Sequence, residues 1–264
     1  MQVQKPWWGA FQFEVNEAAS WSIGSRQFVL RRLQAEWNIW NVDALEEAGV
    51  TVLEQGKIAP NTLPDDESLC RYLFKATESQ IIIQPALADR SITSRPSRPL
   101  NIMPGETGRL YVSTPLWFQV TIAPEHDPFF DQPFWRPSDS WFGPTTIEGE
   151  MCYSKHTDAR LNLELIERRT HRAITPVNVV NDSNEVLVID QFNLPVPMLS
   201  LFSDRSGYLW TEALTVTREQ DEDSVVLTLD KSAPSEAGEA QRVAAPRIEV
   251  SKHRLIRSLS SLFA

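Results

Sequence analysis

Apolar and polar residues alternate in short runs along most of this chain. Residues 11–15 (FQFEV), 21–24 (WSIG), 27–33 (QFVLRRL) and 36–42 (EWNIWNV) are separated by turn-length gaps, and 50–56, 68–77 and 80–87 continue in the same way. Alternation with period two marks a half-buried strand, whereas a helix repeats every three to four residues. The first part therefore reads as a meander of strands, interrupted by one helical turn at 43–48 before Gly49 and by a loop at 95–108.

The stretch GRLYVSTPLWFQVTI (108–122) alternates like a strand but carries Pro115 in its middle. Proline has no backbone donor, so this point belongs at an edge, at a bulge, or where the strand crosses between sheets. A second strand series opens at 146–154 and continues through 159–169, 173–182, 185–194, 208–219 and 224–231, joined by turns such as NDSNE and SDRSG. The predicted fold is mainly β: two β-sandwich-like domains, or one large sandwich, with a C-terminal amphipathic helix. The boundaries follow the pattern: 1–144 for the first domain, 145–232 for the second, 233–246 for a linker and 247–264 for the helix. In that last segment Leu255, Ile256, Leu259, Leu262 and Phe263 fall on one helical face, opposite Lys252, His253, Arg254 and Arg257. Such a tail either docks on its own domain or serves as a partner-binding or membrane-surface helix.

Composition narrows the function. The net charge is −10, with 35 acidic against 25 basic side chains, and this disfavours general nucleic-acid binding. Glycine is scarce, and neither of the glycine-spaced phosphate-binding motifs, G-x-G-x-x-G or G-x-x-x-x-G-K, occurs. The two cysteines, Cys70 and Cys152, form no disulfide framework, and the sequence shows neither a signal-peptide pattern nor a long apolar run. These features lead to the expectation of a soluble, cytoplasmic protein.

Candidate chemistry is sparse. Glu125, His126, Asp127 and Asp131 form one group and Cys152, His156 and Asp158 another, but neither has the ligand spacing of a zinc site. No metal and no cofactor are expected. On a strand, residues four apart lie about 13 Å from one another, too far for Cys152 and His156 to share a hydrogen bond. The aromatic segment is richer: Trp117, Phe118, Phe129, Phe130, Phe134, Trp135, Trp141 and Phe142 lie among four prolines. These rings either fill a seam between sheets or form a platform for a sugar, a peptide or a protein. The candidate binding residues are Trp117, Phe129, Phe130, Trp135 and Trp141, together with Leu255, Leu259 and Phe263 of the tail.

The stretches WSIGSRQFVLRRLQAEWNIW, LYVSTPLWFQV, WFGPTTIEGEMCYS and TPVNVVNDSNEVLVIDQFNLPVPMLSLF resemble, in order and spacing, the DUF432 family of prokaryotic proteins of unknown function. The resemblance spans about residues 7 to 230 and implies no catalytic residue. As a partner it suggests a membrane protein such as a mechanosensitive channel. Two functions follow as expectations. The first is a non-enzymatic binding or accessory protein, presenting a β-sandwich surface and its terminal helix to a protein partner or to a second copy. The second is a carbohydrate-active or other hydrolase whose carboxylates converge in an aromatic-lined cleft.

Overall fold

Strands carry nearly all of the regular structure, and among the described residues every helical segment is a three-residue 3-10 turn. The computed structural model describes residues 6–56, 63–122, 127–220, 224–250 and 254–263, with the backbone alone for 45–56, 66, 155–158 and 254. In chain order the first strands are β1 (Gly9–Gln12), β2 (Ala18–Arg32), β3 (Glu36–Gly56), β4 (Leu69–Leu73) and β5 (Gln80–Ala86). Next come β6 (Ile92–Pro96), β7 (Leu100–Ile102), β8 (Thr107–Pro115), β9 (Trp117–Thr121) and β10 (Phe130–Pro133). The hairpin β11 (Ser138–Phe142) and β12 (Glu150–Ala159) precedes β13 (Arg172–Asn181), β14 (Leu187–Ile189), β15 (Phe192–Leu194) and β16 (Leu201–Asp204). The remainder are β17 (Leu209–Trp210), β18 (Leu214–Arg218), β19 (Ser224–Leu229), β20 (Ala240–Ala244) and β21 (Arg254–Ser258).

These strands form two compact units with interleaved sequence. Unit 1 comprises residues 1–85 and 117–134, and unit 2 comprises 86–116 and 135–264. In place of one break near residue 145, the chain leaves unit 1 after residue 85, returns at 117 and leaves again at 135. Pro115 is where it returns: β8 ends there in the sheet of β13, and β9 begins two residues later in a different sheet. The missing donor of proline costs nothing at the end of a ladder.

Unit 1 holds a four-stranded sheet, β1-β5-β9-β10, and a three-stranded sheet, β2-β3-β4. Rings join them. Phe28 of β2 stacks on Phe118 of β9 with centroids 4.3 Å apart, and Phe11 of β1 meets Trp21 of β2 edge-on at 5.1 Å. Phe118 also stacks on Trp7 and meets Phe130 and Phe134 edge-on. Arg32 ties the ends of the unit, donating to the carbonyl oxygens of Phe13 and Thr77 and to the Thr77 hydroxyl. The helical turn expected at 43–48 is absent, because β3 runs through it as a strand, with bulges in its pairing to β2 near Gly24.

Unit 2 has three sheets: β11-β12-β6-β15, the ribbon β14-β7, and a mixed sheet ordered β20-β16-β17-β13-β18-β19-β21 with β8 also paired to β13. β13 runs parallel to β17 and β18 and antiparallel to β8. Three sequence expectations are corrected here. The 95–108 loop contains β7, whose partner is β14. The 159–169 strand is instead the end of β12 followed by the 3-10 turn Leu163–Leu165, which is capped by Asn162. The 233–246 linker contains β20, which pairs with β16. Its alanines are packing residues: Ala237 lies in a buried cluster with Tyr111, Ile166, Ile174 and Trp210, against which Ala233 and Ala240 pack.

The terminal helix is likewise replaced. Arg254–Ser258 pairs with β19 from Ser224↔Ser258 to Thr228↔Arg254, and only the turn Leu259–Ser261 is helical. A short helix is marginal in water without packing, whereas the free edge of β19 supplies a ladder of backbone partners.

Candidate functional site

The aromatic segment divides between the two units. Trp117 and Phe130 are buried in unit 1, and Phe129 is half-buried there, meeting Tyr72 and Phe74 edge-on at 5.2 and 5.5 Å. β9 thus delivers Phe118, with Phe130 of β10 beside it, to the space between the two sheets of unit 1. Beyond residue 134 the rings behave differently. Trp135 and Trp141 are 54% and 42% exposed, although Phe142 is buried. Sequence alone presents these rings as one series.

Trp141 stands on the hairpin β11–β12, opposite Met151 in the ladder. One face of this hairpin, carrying Phe142 and Cys152, is buried. The other presents Trp141 and Met151, the latter 49% exposed, and at the tip Ile147 is 90% exposed. Hydrogen bonds fix the tip. The Trp141 indole donates to the Thr145 carbonyl oxygen at 2.7 Å, and the Thr145 hydroxyl accepts the backbone N–H groups of Ile147 and Glu148. Gly149 permits this closure, since a Cβ there would sit 2.5 Å from the Phe142 carbonyl oxygen and 2.6 Å from the Trp141 Nε1. On the same face as Trp141, Asp139 accepts from Arg90 at 3.0 Å and from Arg136 at 3.1 Å. Ile147 and Met151 were missed in the sequence. Their signal was the tip TTIEG and the phase of EMCY, which identifies a face only once its covered side is known.

The tail residues belong to a sheet. Leu255 and Leu259 are half-buried, Leu262 and Phe263 are buried, and Ile256 is 77% exposed. Phe263 bridges to Phe192, and Asn193 donates its backbone N–H to the Leu262 carbonyl oxygen at 2.9 Å. Lys252 and His253 of the expected basic face lie outside the described residues.

Of the two candidate polar clusters, Glu125 and His126 lie outside the described residues, as do the side chains of His156 and Asp158. Among the described residues, no group of three or more His, Cys, Asp or Glu side chains is placed to hold a metal ion. Cys152 is buried with its sulfur 3.2 Å from the Thr93 hydroxyl, and burial pushes its thiol pKa up. A thiol held protonated is a poor nucleophile. Also among the described residues, no helix is long and apolar enough to cross a membrane.

The fold and this surface define a mainly β protein with an apolar hairpin face open to solvent. The chain belongs to the DUF432 family, described as protein of unknown function, which it matches over residues 7–263. No curated protein and no solved structure matches it.

Proposed function

We propose that the protein is a non-enzymatic binding protein that docks a partner protein through the exposed face and tip of the β11–β12 hairpin. The observation that carries this reading is the conjunction of Trp141, Met151 and Ile147 in solvent with a tip held by the Trp141 indole. Large exposed apolar side chains mark interaction surfaces, and Trp is prominent among residues that dominate binding energy. A tip already ordered loses less entropy on docking.

The partner is a different protein, with an apolar groove and a basic rim. Two copies of a chain with net charge −10 repel one another, and Glu148 at the tip makes no ion pair among the described residues. The facing sheets of unit 1 support reading that unit as a β-sandwich. The free thiols Cys70 and Cys152 support a reducing compartment such as the cytoplasm.

The test compares the wild-type chain with a Trp141→Ser/Ile147→Asp double variant, each used to retain proteins from cells that encode it. The expected result is one protein held in stoichiometric amount by the wild type and lost with the variant; once purified, that protein binds the wild type more weakly as salt rises. Equal retention of the same proteins by both chains would overturn the proposal.

A further inference from the structure

Basic side chains are concentrated where β13 begins. Arg168, Arg169, His171 and Arg172 fall within the six residues 167–172 of an acidic chain. The backbone there is a tight turn, with the Arg172 N–H donated to the Arg169 carbonyl oxygen and the Leu116 N–H donated to that of His171. Three strands converge on it. Antiparallel pairing sets Ser113 of β8 opposite Ile174, and parallel pairing sets Leu209 of β17 opposite Ala173. Ser113 and Tyr208 are thereby brought beside Arg172, and with Glu167, Arg168 and Arg169 they line a shallow depression.

The two arginines that matter are held by neutral groups. Arg172 donates from Nε to the Ser113 hydroxyl at 2.8 Å and from its second terminal nitrogen to the Ser113 carbonyl oxygen. Burial, together with the neighbouring Arg169, lowers its pKa to about 10, so it remains a cation at neutral pH. Arg168 lies over the rings of Tyr208 and Trp210, 5.6 and 5.5 Å from their centroids. Asp204 holds that shelf in place, accepting the Trp210 indole N–H at 3.0 Å and the backbone N–H groups of Ser206 and Tyr208. Glu167 is the carboxylate of the depression, and it is engaged by Arg169 at 2.6 Å. Among the described residues neither Arg168 nor Arg172 makes an ion pair.

We infer that Arg168 and Arg172 form a binding site for a phosphate group. The Arg168 guanidinium on its ring shelf, and the terminal N–H groups that Arg172 does not give to Ser113, suit an oxyanion that accepts several charge-assisted hydrogen bonds. The glycine loops that cradle phosphate in other proteins are not needed, because side chains rather than backbone supply the donors. The site lies on β13, β8 and the β16–β17 turn, and its failure would leave the docking role of the β11–β12 hairpin standing.

The experiment titrates the full chain with inorganic phosphate at constant ionic strength, using calorimetry, in the wild type and in Arg168→Gln, Arg172→Gln and Arg98→Gln variants. Arg98 is an exposed arginine outside the depression. The expected result is saturable one-to-one binding, weakened about tenfold or more by Arg168→Gln and unchanged by Arg98→Gln, as for loss of a charge-assisted hydrogen bond. Arg168 is exposed on its ring shelf, so its substitution tests the site even if Arg172→Gln disturbs folding. A second arm sediments the chain with phosphatidic acid vesicles and with phosphatidylcholine vesicles. Arg168-dependent sedimentation with the former alone assigns the phosphate to a lipid headgroup, and its absence assigns it to a soluble ligand. No saturable binding of phosphate, or binding indifferent to Arg168→Gln, would overturn the inference.

Discussion

Trp141 and Met151 face one another across the β11–β12 ladder, both reached by solvent, while their neighbours Phe142 and Cys152 are buried. The pairing depends on a close approach at Gly149, over which the Trp141 indole reaches Thr145. Gly149→Ala should therefore open the tip. The expected outcome is faster hydrogen exchange at the Trp141 indole N–H in NMR spectra, with global stability lowered by about 1 kcal/mol, an ordinary value for one substitution. Unchanged exchange would show that the indole does not clamp the tip.

Phe118 lies between Phe28, at 4.3 Å, and Trp7, at 5.5 Å, with no exposed surface. Removing its ring leaves a cavity bounded by both sheets of unit 1. Phe118→Ala should cost about 3–5 kcal/mol in urea unfolding, the usual range for a buried aromatic, and Phe118→Leu less.

Much of this fold is legible in the sequence because alternation reports strands directly. Pro115 also marks the crossing from β8 to β9 correctly, since a missing donor is a local property. The positions that mislead are those decided by distant partners. Leu255, Ile256 and Leu259 have helical spacing, yet the hydrogen bonds that settle the matter come from β19, about thirty residues earlier. The alanines of 233–246 resemble a flexible tract, and only Tyr111 and Trp210 reveal them as close-packing residues. For the same reason the exposure of Trp141 was not readable, and the arginines of 167–172 gain meaning only when β17 brings Tyr208 beside them.

The C-terminal strand leads to an expectation opposite to that for a tethered helix. Deleting residues 251–264 removes the ladder on β19 and the buried Leu262 and Phe263. The loss should be at least about 3 kcal/mol, from two side chains worth about 1.5–3 kcal/mol each. The thermal midpoint should fall, and light scattering should detect association through the opened β19 edge. A truncated chain that melts as the full chain does would show that the strand adds nothing.

Glu212 is buried and accepts the Ser200 backbone N–H at 2.7 Å. Burial raises its pKa, outweighing the opposing effects of that hydrogen bond and of Arg242. Its contribution to stability is fully present below the unfolded carboxylate value, about pH 4.3, and is lost as pH rises through the raised folded value. Urea unfolding over a pH series should show the wild type losing ground to Glu212→Gln as pH rises above the unfolded carboxylate value of about 4.3. A difference that stays constant with pH would mean that the carboxyl titrates alike in both states.

A β11–β12 hairpin that docks a different protein should be caught doing so by photo-crosslinking in living cells. A photoreactive amino acid replaces Ile147 at the tip or, as a control, the exposed Lys231. One discrete adduct is expected from position 147, absent from position 231 and abolished when Trp141→Ser is added, since a central Trp contributes about 2 kcal/mol or more to an interface. No adduct from position 147, an adduct that persists with Trp141→Ser, or one of twice the chain's own mass would contradict it.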